Sequence, residues 1–330
     1  MLSREINSFT LSAVRYFFEQ ANNSGNLAFS GLNNFLLLGV IDLGLRGESG
    51  LQLSNFLNEN FLELRRELSR NHNETTRYIL DLLKISLSIM EVQFEAFGSI
   101  HILSRYKKLV DRTLGFPISY TNHKIPFKFI EMGGLFYTQD GHSEGIFFIG
   151  DNESKRVEYM RIKHKFLLNY DPNLGANILF LPLKNRNVFG AIILPRYGKC
   201  IKRISTNLER YFDEAKLSKV YLTLPKIRII KINKLRSYLM NKSVDKMFIY
   251  KEADMSGMSR DKAYVLDIYQ QSIIVFNENG KFIIPRSQNS NDNYDKEYDF
   301  VNFLVDKPFI FYTYVPRNKT VLFMSVIKDP

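Results

Sequence analysis

Apolar residues alternate with polar ones in two distinct rhythms along this chain. Between Ile6 and Gln20 the apolar positions Ile6, Phe9, Ala13, Val14 and Phe17 recur at helical spacing and line one side of a helix. Asn22, Asn23, Ser24 and Gly25 end it. Residues 26–30, Asn-Leu-Ala-Phe-Ser, predict a short buried strand. A second apolar helix runs from Leu32 to about Leu43. Gly44 to Ser49 predict a turn, and Leu51 to Leu57 open a further helix. Residues 61–84 predict charged helix with a loop over Ser69 to Thr76. Residues 85–100 alternate as a strand, with Ile85, Leu87 and Ile89 on one face. A short helix is expected over 102–112 and a strand over Met132 to Tyr137.

The second half is richer in strands. Ile178 to Leu183 and Ala191 to Pro195 form two apolar runs, each with a Leu-Pro pair at or near its end. Residues 200–215 predict an amphipathic helix. Val220 to Ile229 predict one strand, with Lys226 and Arg228 on one face and Ile227 and Ile229 on the other. Leu235 to Met240 predict a helix. The polar stretch Ser287 to Tyr298 predicts an exposed loop. No internal repeat breaks the pattern, and the expectation is a single domain over 1–330.

Composition bounds the class without choosing a function. The chain has 330 residues, 45% hydrophobic and 24% charged, enough for a substantial core. Its formal net charge of +11 favours polyanionic partners. The basic residues crowd 199–236, and Lys202, Arg203, Lys226 and Arg228 are the candidate polyanion contacts. The plain alternative is a sheet face kept soluble by charge. A single cysteine, Cys200, excludes an intrachain disulfide. The opening residues, with Arg4 and Glu5, lack the apolar core of a secretory signal, and no apolar run spans a membrane. The expectation is a cytoplasmic protein, or a secreted one if a leader has been removed.

The chemistry of an enzyme is not legible. There is no Gly-x-Ser-x-Gly elbow, phosphate loop or His-Glu-x-x-His helix. The histidines at 72, 101, 123, 142 and 164 have no metal-ligand spacing. No cofactor or metal is expected. Cys200 beside Lys199 reads better as an incidental cysteine than as an activated thiol.

Four blocks carry a family resemblance. They are Ala-Asp-Met-Ser-Gly-Met-Ser at 253–259, Val-Phe-Asn-Glu-Asn-Gly at 275–280, Lys-Pro-Phe-Ile-Phe at 307–311, and Thr-Val-Leu-Phe-Met-Ser-Val-Ile-Lys-Asp-Pro at 320–330. Together they resemble the serpins, the serine protease inhibitor family. The opening agrees, except that Gly31 stands where the family writes the proline of Phe-Ser-Pro. The resemblance implies an α+β serpin fold: a large mixed central β-sheet, further β-sheets and packed helices. Serpins lay a helix across the front of the central sheet after Gly115. Here Phe116 to Glu131, broken by Pro117 and Pro126, leave no room for it. A sheet front left bare in this way would invite a dimer.

The resemblance also places a reactive-centre loop at 281–298, with its hinge at Glu278, Gly280, Lys281, Phe282, Ile283, Ile284 and Pro285. In inhibitory serpins the cleaved loop inserts into the central sheet as a new strand, a case of strand addition. Their hinge is threonine, glutamate and small residues. Strand alternation would turn Lys281, Ile283 and Pro285 inward. A buried unpaired ammonium costs several kcal/mol or loses its proton. Proline has no N–H for a central ladder. The gate beneath the sheet departs as well. The family's His-Lys pair is Gln270-Gln271, and its strand asparagine is Gly133, beside Ser30. By loop length the bait falls at Tyr294, Asp295 and Lys296.

The implied function is a serpin-fold protein that has lost loop-insertion inhibition and binds a macromolecular partner as a decoy. Such a compact form without a leader suits a virus or an intracellular parasite. The alternatives are an intracellular serine or cysteine protease inhibitor and a polyanion-binding surface protein.

Overall fold

The computed structural model describes residues 2–58, 74–98, 101–114, 119–122, 127–137, 142–150, 152–183, 185, 187–196, 208–276 and 300–330. The helices are α1 (Leu2–Gln20), α2 (Gly31–Gly44), α3 (Gly47–Leu57), α4 (Glu74–Ile89), α5 (Ser104–Leu114), α6 (Leu208–Asp213) and α7 (Leu235–Asn241). The strands of the first half are β1 (Leu27–Phe29), β2 (Glu91–Gly98), β3 (Ser119–Asn122), β4 (Phe127–Tyr137) and β5 (His142–Gly150). Then come β6 (Glu153–Asp171), β7 (Ala176–Pro182), β8 (Phe189–Pro195), β9 (Lys216–Pro225) and β10 (Ile227–Lys234). The last four are β11 (Val265–Phe276), β12 (Val301–Leu304), β13 (Phe309–Val315) and β14 (Thr320–Ile327).

Two sheets organise these elements. A five-stranded sheet runs β10-β11-β4-β2-β3. A nine-stranded sheet runs β1-β14-β13-β8-β7-β6-β9-β12, with β5 paired to β6. Parallel pairing of β2 with β3 and of β12 with β9 makes both sheets mixed. By contact density the chain forms two compact units: Met1–Phe17, Phe29–Gly133 and Ile230–Ser272, and then Phe18–Ala28, Gly134–Ile229 and Ile273–Pro330.

The core of the first unit is built on α2. All fourteen of its residues are buried, as in a helix enclosed by its neighbours, and Asn33, Asn34 and Asp42 are buried among its apolar side chains. The rings of Phe9, Phe35, Phe56 and Tyr238 meet edge-on about it, at centroid distances of 6.0–6.1 Å. The core of the second unit is strand-made. Every residue of β13 and β14 is buried, which a strand covered on both faces requires.

Four local expectations are corrected. Ile85, Leu87 and Ile89 lie in α4, not in a strand. Ile79, Leu82, Leu83, Ser86 and Met90 are buried while Leu87 is exposed, so the period of the helix governs that segment. Glu74, Thr75 and Thr76, expected in a loop, also belong to α4. Gly47 to Ser49, expected in a turn, already belong to α3. Gly47 opens that helix at a φ of +53°, which glycine tolerates best. Finally, Val220 to Ile229 are not one strand. The chain changes sheets at Lys226, after Pro225 closes β9.

Residues 115–118 and 123–126, on which the expected loss of the helix across the sheet front turns, lie outside the described residues.

Candidate functional site

The site is defined by the two strands that hold the ends of the 277–299 segment. β11 brings the chain to it and β12 takes the chain away. β11 alternates along its length, with Ile268, Gln270, Ser272, Ile274 and Phe276 on the buried face. Tyr269, Gln271, Ile273 and Val275 occupy the other face, only partly covered. Phe276 closes the strand with its ring against Phe311, at 5.0 Å and 73°. β12 pairs in parallel with β9, setting Val301 opposite Val220 and Leu304 opposite Thr223.

The hinge residues Glu278, Gly280, Lys281, Phe282, Ile283, Ile284 and Pro285 lie outside the described residues. So do Tyr294, Asp295 and Lys296, and so do Lys202 and Arg203. What the described residues fix is the sheet next to them. β11 and β4 are hydrogen-bonded neighbours, with no strand between them.

The gate residues occupy different settings. Gln270 is fully buried on the inner face of β11. Its Oε1 accepts a hydrogen bond from Asn233 Nδ2 at 3.0 Å. Among the described residues its Nε2 meets no acceptor, and the Oγ of Ser272 on the same face is likewise unmatched. Gln271 points the opposite way. Ser30 precedes α2, and its carbonyl accepts from Asn34 through both the backbone N–H at 3.2 Å and Nδ2 at 2.8 Å. Gly133 lies within β4 and contributes no side chain.

Asn233 was not singled out from the sequence, although a signal exists. It falls on the buried parity of β10, with Ile227 and Ile229. An amide at such a position needs a partner, and Gln270 supplies one.

The two described candidates for polyanion contact are unlike each other. Lys226 stands between β9 and β10, and its side chain is only 19% exposed. It pairs with Glu158 at 2.5 Å. Arg228 is exposed on β10. Among the described residues no group of His, Cys, Asp and Glu could hold a metal ion. No described helix is long and apolar enough to cross a membrane.

Comparison with known proteins agrees with this architecture. The family model for serpins (serine protease inhibitors) matches residues 136–330. A leukocyte elastase inhibitor of Xenopus laevis is 24% identical, the match covering 94% of each chain. Heparin cofactor 2 of Rattus norvegicus is 26% identical over 98% of this chain and 76% of its own. Among solved structures, a tumour-suppressing serpin superposes with a TM-score of 0.80 at 15% identity, covering 100% of this chain and 99% of its own. Native protease nexin-1 with heparin gives 0.79 at 18% identity, covering 100% of both chains. A family match to residues 136–330 of 330, on strands ordered as described, establishes that this protein belongs to the serpin family.

Proposed function

We propose that this chain is a serpin that no longer traps proteases by loop insertion. It forms one serpin-like domain over 1–330 and serves as a binding or decoy protein for a macromolecular partner, engaged through the 281–298 loop. The partner is a protease or another host protein, in keeping with a host-modulating role. The observation that carries this reading is the pair Lys281 and Pro285 at inward hinge positions. Insertion would bury an ammonium in the sheet and leave a ladder position without a donor. Gln270 and Gly133 support it, because they replace the side chains with which the family opens its gate.

A second reading rests on the relatives. Several carry the name of an elastase inhibitor, and these match over nearly the whole chain. On that reading the loop is bait, with Asp295 or Tyr294 at the cut, for a serine or cysteine protease.

One experiment separates the two. The full chain is incubated with trypsin-, chymotrypsin-, granzyme- and caspase-type proteases and resolved on denaturing gels. Cleavage between 281 and 298 without a covalent adduct is the expected outcome. A stoichiometric adduct that survives denaturant would overturn the proposal in favour of the inhibitor.

A further inference from the structure

A hollow of about 140 Å³ lies in the first unit, where α1 faces Phe35 of α2, Phe56 and Leu57 of α3, and Tyr238 of α7. On α1 it is lined by Glu5, Ser8, Phe9 and Ser12, whose helical spacing puts them on one side of the helix. Two of these four positions are serines. They leave open the volume that larger apolar side chains would fill in an interior otherwise packed close.

The hollow has an aromatic floor and a charged mouth. Phe9, Phe35 and Tyr238 are buried, and Phe56 is half-buried beside them. The Phe9 ring lies 6.0 Å from those of Phe35, Phe56 and Tyr238, at interplanar angles of 64°, 79° and 60°. Rings tilted in this way offer a guest both π faces and positive edges. At the mouth the half-buried Glu5 accepts a hydrogen bond from Asn58 Nδ2 at 3.1 Å. Lys242, exposed just beyond α7, holds its ammonium 5.9 Å from the Tyr238 ring centre. Among the described residues that ammonium meets no carboxylate.

We infer that this hollow binds a small single-ring aromatic carboxylate, with the ring among Phe9, Phe56 and Tyr238 and the carboxylate on Lys242. Volume sets the number of rings. An apolar cavity of about 150 Å³ admits one benzene ring, so a fused pair of rings or a long acyl chain is too large. Charge sets the head group. Glu5 already serves Asn58, whereas Lys242 has only a ring beside it, so an anion gains more at this mouth than an amine does. The hydroxyls of Ser8 and Ser12 add hydrogen-bond donors to the same lining. The inference is independent of the loop and of whether it can insert.

The test titrates the full chain with phenylacetate at low ionic strength, followed by ligand-observed NMR. Acetate lacks the ring, 2-phenylethanol lacks the charge, phenethylamine reverses it, and 1-naphthylacetate carries a second ring. Phenylacetate should saturate a single site in the millimolar range or below and bind more tightly than any of these. Lys242→Gln should weaken phenylacetate about threefold, the worth of one exposed ion pair, and leave 2-phenylethanol unchanged. Lys242→Arg should bind as the native protein does. Ser8→Phe, at an exposed position of α1, should plug the mouth and abolish binding of both, while a thermal melt shows the variant folded. Absence of saturable phenylacetate binding by the native protein would overturn the inference. So would binding of acetate, phenethylamine or 1-naphthylacetate as tight as that of phenylacetate. Phenylacetate affinity unchanged in either Lys242→Gln or Ser8→Phe would overturn it as well.

Discussion

The Asn233 side-chain amide donates to Gln270 Oε1 at 3.0 Å, joining two buried polar residues on the adjacent strands β10 and β11. The contact leaves Gln270 Nε2 without an acceptor among the described residues. A buried donor left unmatched costs about 1–3 kcal/mol.

The two halves of this pair should respond unequally to substitution. Gln270→Leu removes the unmatched Nε2 but orphans an Asn233 donor, so the two costs oppose each other. We expect a net change within about 1 kcal/mol. Asn233→Ala leaves both ends of Gln270 unmatched and removes further packing, and should cost about 2–3 kcal/mol. Urea unfolding of both variants measures the difference. A larger loss in Gln270→Leu than in Asn233→Ala would show that Nε2 is satisfied in solution.

Gly31 stands where the family places proline, and its surroundings explain why that residue is excluded here. A Cβ at position 31 would lie 1.7 Å from Thr10 Oγ1 and 2.7 Å from Thr10 Cβ. Thr10 is buried and held by its own hydrogen bond to the Ile6 carbonyl, at 2.6 Å, so it cannot simply swing away. Gly31→Ala, and still more the family-like Gly31→Pro, should lose about 2 kcal/mol or more by overpacking. Adding Thr10→Ala removes the closest atom but not the Cβ, so rescue should be partial. Full tolerance of Gly31→Pro in a thermal melt would mean that α1 and α2 separate more easily than this packing implies.

Gly31 and Thr10 also mark how far the sequence could be read. The departure at 31 was visible as a missing proline, but its partner, twenty-one residues earlier on another helix, was not. Long apolar periods were legible: α1, α2, β7, β8 and α7 lie close to where their patterns place them. Ile85, Leu87 and Ile89 misled because an alternation of three apolar residues also fits part of a helix. Only the buried set from Ile79 to Met90 decides between the two periods. Lys226 misled because the strand pattern continues through a residue where the chain passes between sheets. Gln270 was singled out by family position alone, whereas Asn233 required knowledge of which strand lies beside β11. Pairing between distant strands is a tertiary fact that local pattern does not encode.

The hinge can be tested by restoring it. On the proposed reading, Lys281→Ala, Ile283→Ala and Pro285→Ala together remove the charge, the bulk and the missing donor that would oppose insertion. Native protein nicked in its loop should melt within a few degrees of the intact chain, because no strand is added. The triple variant, nicked in the same way, should melt well above its intact form if Lys281 and Pro285 are the barrier. Equal melting of both nicked proteins would move the barrier away from the hinge, to the gate at Gln270 and Gly133.

His164 offers a pH dependence with a definite sign. It lies on β6 between Lys163 and Lys165, half-buried, with its ring 5.2 Å from that of Phe166. Burial holds its pKa below the usual histidine value, and the Lys165 charge pushes it the same way. A histidine with a depressed folded pKa takes up its proton more readily in the unfolded chain. Above about pH 6.5 both states are neutral and the residue leaves stability unchanged. As the pH falls below that value the unfolded state binds the proton first, and stability declines until the folded pKa is passed. Raising the ionic strength should lessen this decline, because it screens Lys165, which opposes the imidazolium. His164→Phe, which keeps an aromatic ring beside Phe166, should remove this part of the acid sensitivity in the interval just below about pH 6.5. Unfolding midpoints of the two proteins across that interval provide the check. Parallel pH profiles would show that His164 titrates as it does in the unfolded chain.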